Sequence, residues 1–142
     1  MVSLMHMTLR GHDTPPKQAF VVDDERAIAR IIAYLLTELG WEVDIFGDAE
    51  AAYPMLRERR PGLIITDVQL PGLSGVDFTH CLRHDPATAK AVVVLVSAYA
   101  EPAGHTADAF MGKPFDIDEF LAFLGPLATE AEERLASRDA EG

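Results

Sequence analysis

Apolar residues in this chain come in short runs separated by polar breaks, and the runs alternate between two periodicities. Ala19-Phe20-Val21-Val22, Leu63-Ile64-Ile65 and Ala91-Val92-Val93-Val94-Leu95-Val96 are unbroken. Runs of that length, stopped by polar or turn residues, read as strands buried on both faces. Trp41 to Phe46 instead sets Trp41, Val43 and Ile45 against Glu42 and Asp44, the period of a strand with one exposed face. Asp108 to Gly112 is a weak fifth strand.

Between these runs the period changes. Ile28, Ile31, Ile32, Leu35, Leu36 and Leu39 recur at steps of three and four, which predicts an amphipathic helix stopped by Gly40. Asp48 is placed to cap a second helix over roughly 49–59, and Pro54 inside it predicts a kink. Val76 to Arg83 predicts a short helix burying Phe78 and Leu82, broken by Asp85-Pro86. Asp116 caps a last helix with Ile117, Phe120, Leu121 and Leu124 on one face; Gly125-Pro126 is expected to interrupt it, and 127–137 favours helix by propensity. Residues 98–107 hold Pro102 and Gly104 and show no helical stripe.

Strands alternating with helices imply right-handed crossovers and a parallel sheet covered on both sides. The expected fold is an α/β domain with a doubly wound, five-stranded parallel sheet over 18–125. A loose N-terminal arm, 1–17, precedes it. A helical extension or tail, 126–142, follows, too short to be an output domain.

Composition narrows the function. Twelve Lys and Arg face 23 Asp and Glu, a formal charge of −11 in 142 residues. Such a domain repels phosphate backbones, so direct nucleic-acid binding is not expected. One cysteine, Cys81, leaves no internal disulfide and fits a reducing cytosol. No apolar run approaches the roughly 18 residues of a membrane span, and the first 16 residues lack the apolar stretch of a signal peptide.

Four of the five strands end in a residue with chemistry: Asp23-Asp24, Asp67, Ser97 and Lys113. The ends of parallel strands share one edge of the sheet, where α/β folds place ligands. Three carboxylates, a hydroxyl and an ammonium should therefore converge. The carboxylates repel one another; Lys113 offsets one charge and a divalent cation would offset two more. All-oxygen donors suit Mg²⁺. Asp67 would then remain ionised and able to attack an electrophile, with Ser97 and Lys113 holding phosphoryl oxygens.

These residues carry a resemblance. Val22-Asp23-Asp24-Glu25, Thr66-Asp67 with Leu70-Pro71-Gly72 and Gly75, Val96-Ser97-Ala98 and Lys113-Pro114-Phe115, in this order, resemble the receiver domain of two-component response regulators. The resemblance covers 18–125 and implies the flavodoxin-like receiver topology. It implies that Asp67 accepts a phosphoryl group from a sensor histidine kinase or a histidine phosphotransfer protein. It implies that Asp24, Asp67 and the backbone carbonyl of Gln69 ligate Mg²⁺, with Asp23 acting through water. It assigns Ser97 and Lys113 to the phosphoryl oxygens and Phe110, with Ser97, to the switch. It also implies a signalling acceptor rather than an enzyme, its own turnover limited to slow phosphotransfer and dephosphorylation, and output through protein contacts. Gln69 and Tyr99 fall where the family tunes phosphate lifetime. One departure is plain: only 16 positions separate Ser97 from Lys113. That is about one and a half helical turns short of the family pattern, so the fourth helix should be short or irregular, which leaves the family's dimer face and oligomeric state open.

Rival readings stay in view: a phosphorelay intermediate, a phosphorylation-independent adaptor, a flavin- or nucleotide-binding module and an Asp-nucleophile phosphohydrolase. The third lacks a Gly-rich loop after the first strand; the fourth lacks an acid at position 69. His80, Cys81 and His84 lie one helical turn apart, but a structural or surface role is expected for them.

Overall fold

The computed structural model describes residues 17–141. Of the expected arm, only Lys17 falls among them. The chain runs β1 (Gln18–Val22), α1 (Arg26–Glu38), β2 (Glu42–Phe46), α2 (49–59), β3 (Leu63–Asp67), α3 (Gly75–His84), β4 (Val92–Ser97), β5 (Ala109–Gly112) and α4 (Ile117–Glu141). The five strands form one parallel sheet in the order β2-β1-β3-β4-β5. The chain leaves β1 on one side for β2 and returns on the other side for β3, so the topological switch lies between β1 and β3.

The apolar runs are apolar because both faces are covered. Leu63 and Ile65 of β3, with Val92, Val94 and Val96 of β4, meet Ile32 and Leu36 of α1 and Phe120 and Leu124 of α4. Ile64 and Val93 point the other way, onto Leu56 of α2 and Phe78 and Leu82 of α3. The stripe of α1 is narrower than its sequence implies: Ile31 and Leu39 are exposed. Ile31 lies about 100° around the helix from Ile32, and Leu39 is the C-cap, past the last turn. Gly40 closes the helix at φ +95°. Its N–H bonds the Thr37 carbonyl and that of Trp41 bonds the Leu36 carbonyl, a Schellman pair.

Pro54 does break α2. Ala49–Ala52 and Leu56–Arg59 are α-helical, and Tyr53–Met55 between them is a 3₁₀ turn. Asp48 caps its start, its carboxylate accepting the Ala51 N–H at 2.7 Å. Gly125-Pro126, by contrast, does not interrupt α4, which runs 25 residues through it. The expected break fails because packing holds the segment beyond it: Ala128 and Ala131 are buried in the same cluster as Phe120, and Leu135 fills the space where Gly62 has no side chain.

No helix forms between β4 and β5. Residues 98–108 are an irregular loop, as the short spacing and Pro102 and Gly104 predict. Arg83 of α3 is the strut that holds it. Its guanidinium donates to the carbonyls of Thr106 (3.0 Å), Ala89 (3.0 Å) and Ala91 (2.7 Å) and to the Asp108 carboxylate (2.8 Å). Asp108 also accepts the Val93 N–H (2.8 Å) and the Arg134 guanidinium of α4 (2.9 Å). Burial alone would raise the Asp108 pKa, but the Val93 N–H and the two guanidinium groups outweigh it and hold the carboxyl below its ordinary range. Among the described residues no helix is long and apolar enough to cross a membrane.

Candidate functional site

The carboxyl ends of β1, β3, β4 and β5 bring four side chains to one rim. Asp23 follows β1, Asp67 and Ser97 close β3 and β4, and Lys113 follows β5. Backbone pairing extends past the strands to fix them there. The Asp23 N–H bonds the Phe46 carbonyl (3.0 Å), that of Val68 the Val96 carbonyl (2.9 Å) and that of Lys113 the Ser97 carbonyl (2.7 Å). Asp23, Asp67 and Ser97 are all buried.

Lys113 is the hub. Its ammonium donates to Glu25 Oε1 (2.8 Å), Asp23 Oδ2 (2.9 Å) and Asp67 Oδ2 (3.1 Å). Burial works against the ammonium, yet the three carboxylate contacts prevail and drive the Lys113 pKa far up. Asp23 shows the opposite balance. Burial pushes its pKa up, and a share in one ammonium, with the Glu25 N–H on its other oxygen (2.9 Å), does not cancel that. Three carboxylates around one ammonium leave two negative charges uncompensated.

The loop after β3 orients the remaining groups. Gln69 N–H donates to Asp67 Oδ1 at 3.2 Å. The Gln69 side chain reaches across to β4, where its Oε1 accepts the Ser97 hydroxyl at 2.9 Å. Ser97 Oγ accepts in turn the Tyr99 N–H at 3.0 Å, while the Tyr99 ring is 70% exposed. Gly75 closes this loop against the acceptor strand. A Cβ there would lie 2.0 Å from the Asp67 carbonyl oxygen, so only glycine permits the approach. Ser74 then caps α3, accepting the Asp77 N–H at 3.1 Å.

Asp23, Asp67, Ser97 and Lys113 thus converge as their positions at strand ends predict. Asp24 is exposed and, with Asp23, Arg26, Arg30, Ile45 and Gly47, lines a shallow cavity of about 290 Å³. Phe110 is half-buried on the edge strand β5, its backbone paired with Leu95. Two contacts of the site go beyond the sequence reading. Glu25 joins Asp23 and Asp67 in a group whose carboxylate oxygens lie within 4.8 Å of one another, the one such group of possible metal ligands among the described residues. His80, Cys81 and His84 form none; His84 Nδ1 is in hydrogen-bond contact with the His80 carbonyl. The second is the Gln69 side chain on Ser97. The acidic run at 23–25 is a visible signal for the first; position 69 stands out in the sequence as two past Asp67, but nothing there marks its contact with Ser97.

The donor set fits a hard divalent cation. It is all oxygen, tightly grouped and short of positive charge by two units.

Comparison with known proteins agrees with this fold. The family model for the response regulator receiver domain matches residues 19–124. The chain is 33% identical over 123 residues to the probable transcriptional regulatory protein TcrX of Mycobacterium tuberculosis, covering 84% of this chain and 53% of that protein. It is 33% identical over 128 residues to the phosphate regulon transcriptional regulatory protein PhoB of Rhizobium meliloti, covering 86% and 56%. The chain therefore spans about half the length of the curated relatives it matches. Among solved structures it is similar to the chemotaxis response regulator CheY4 of Vibrio cholerae, with a TM-score of 0.72, 22% identity, and coverage of 80% of this chain and 99% of that one. It is also similar to the receiver domain of sensor histidine kinase PA1611 from Pseudomonas aeruginosa, with a TM-score of 0.70, 21% identity, and coverage of 80% and 98%. That structure has a magnesium ion coordinated in its active-site cleft.

Proposed function

This chain belongs to the response regulator receiver-domain family of two-component signalling, and we propose that it accepts a phosphoryl group on Asp67 from a phosphohistidine of a kinase or phosphotransfer protein. The observation that carries the reading is the placement of Lys113 Nζ 3.1 Å from Asp67 Oδ2, on the same rim as Asp23 and Ser97.

A magnesium ion would draw its oxygen ligands from Asp23, Asp24, Glu25, Asp67 and the Gln69 backbone carbonyl. When bound, it would neutralise charge on the incoming phosphoryl oxygens. The chain's own residues do the rest. Asp67 is held by Gln69 N–H and Lys113 at one oxygen each, so the carboxylate is aimed rather than free to rotate. One of its oxygens forms the new O–P bond as the P–N bond to the donor imidazole breaks, and the imidazole nitrogen keeps the electron pair. Lys113 then turns an ammonium toward the phosphoryl oxygens, and Ser97 offers its hydroxyl. Phe110 is the aromatic side chain placed on β5 to respond, and output goes through protein contacts. The formal charge of −11 argues against a phosphate backbone as this domain's own partner. The 18–125 segment is the receiver unit in this reading, with the rest of α4 docked onto it.

Incubation with a small-molecule phosphodonor and Mg²⁺, followed by intact mass measurement, tests this. One phosphoryl group is expected on the wild type and none on Asp67→Asn. Equal labelling of both proteins would refute it.

A further inference from the structure

A hydroxyl has one proton to donate, and Ser97 has already committed it. Its Oγ donates to Gln69 Oε1 at 2.9 Å, and one of its lone pairs takes the Tyr99 N–H at 3.0 Å. Ser97 is fully buried, so no water competes for the bond from bulk solvent. The oxygens of a phosphoryl group on Asp67 are acceptors. Ser97 can bond them only by donating, and it can donate only after leaving Gln69. The two states of Ser97 are therefore mutually exclusive by proton count, whatever path connects them.

From this we infer that the Gln69 side chain is a latch that holds Ser97 in the resting arrangement and opposes its engagement with the phosphoryl group. This rests on the acceptor role of Asp67 proposed above. Gln69 is suited to the part by position. Its backbone N–H is tied to Asp67 Oδ1, so its side chain starts from the acceptor and spans to the neighbouring strand. Its side chain acts on phosphoryl binding through Ser97; it is a positioning residue. The latch also reaches the loop. Tyr99, whose backbone N–H rides on Ser97 Oγ, is the second residue of the irregular segment 98–108, so a move of Ser97 is passed directly to the backbone that carries an exposed ring.

The test uses beryllofluoride with Mg²⁺, a stable phosphoryl mimic, titrated against the wild type, Gln69→Met, Ser97→Ala and the double variant. Methionine keeps the length of glutamine and lacks the acceptor. Removing one net hydrogen bond that opposes binding is expected to tighten beryllofluoride affinity by about three- to tenfold in Gln69→Met. In the Ser97→Ala background the same change at 69 is expected to alter affinity less than about twofold, because the interaction it removes is already gone. The Tyr99 amide resonance of Gln69→Met, without beryllofluoride, should also shift toward its position in the loaded wild type. Unchanged or weaker affinity in Gln69→Met, or an equal gain with and without Ser97, would overturn the latch while leaving Asp67 as acceptor. A wild type that does not bind beryllofluoride at all would overturn both.

Discussion

Replacing Arg83 by methionine asks whether one side chain does the work of the absent helix. Arg83 makes four hydrogen bonds of 2.7–3.0 Å, three to carbonyls and one to Asp108. Its side chain is 18% exposed. A charged donor contributes about 1.5–3 kcal/mol per hydrogen bond when bonds are removed singly. Four such bonds do not add, since they share one guanidinium. Methionine keeps the packing of the stem, and Asp108 keeps Arg134 and the Val93 N–H, so no carboxylate is stranded. The expected loss is therefore about 2–4 kcal/mol, below the sum of the parts. For a domain of this size that lowers Tm by roughly 6–15 °C. Urea unfolding followed by circular dichroism reads the free energy, and limited proteolysis reads release of 98–108. Arg57→Met is the control: its pair with Asp85 spans 3.5 Å from a side chain 79% exposed. It should change stability by less than about 0.5 kcal/mol. An Arg83→Met protein as stable as Arg57→Met, with its loop no more cleavable, would refute the reasoning.

Three further outcomes follow from the same contacts. Gly75→Ala places a Cβ 2.0 Å from the Asp67 carbonyl oxygen; it should cost about 1–3 kcal/mol by overpacking and lower phosphoryl uptake at least tenfold while far-ultraviolet circular dichroism stays close to wild type. The depressed pKa of Asp108 contributes stability that is present above its unfolded value of 3.8 and lost as pH falls through its lower folded value. Urea midpoints of the wild type should therefore drop more steeply below that pH than those of Asp108→Asn. Lys113→Met frees Asp23, Glu25 and Asp67 from the ammonium they share; Mg²⁺ should then raise Tm by more than in the wild type, read by differential scanning fluorimetry, and phosphoryl uptake should slow.

Most of this architecture was legible because it follows from local signals with one physical meaning each. Unbroken apolar runs at 19–22, 63–65 and 91–96 are strands with two covered faces, and parallel pairing then carries Asp23, Asp67, Ser97 and Lys113 to a common edge without further information. The Pro54 break in α2 and the loop at 98–108 were legible for the same reason: proline and glycine act on their own backbone. What was not legible depends on distant partners. Gly125-Pro126 reads as a stop, yet α4 continues because Ala128 and Ala131 are buried against the sheet and Leu135 fits over Gly62. Ile31 and Leu39 match a helical stripe but face outward, since the stripe's width is set by what lies beneath it. Arg83 reads as one more surface charge, and the Gln69–Ser97 contact joins the loop after β3 to the end of β4, residues that no spacing connects.

The central claim is that Asp67 is the nucleophile toward phosphorus. Treatment with a small phosphodonor and Mg²⁺, followed by borohydride, reduces an aspartyl phosphate to homoserine and marks its position. Peptide mass spectrometry should find homoserine at 67 and aspartate unchanged at 23 and 24. Homoserine at another position, or an unmodified Asp67 in protein that has taken up phosphate, would contradict the account.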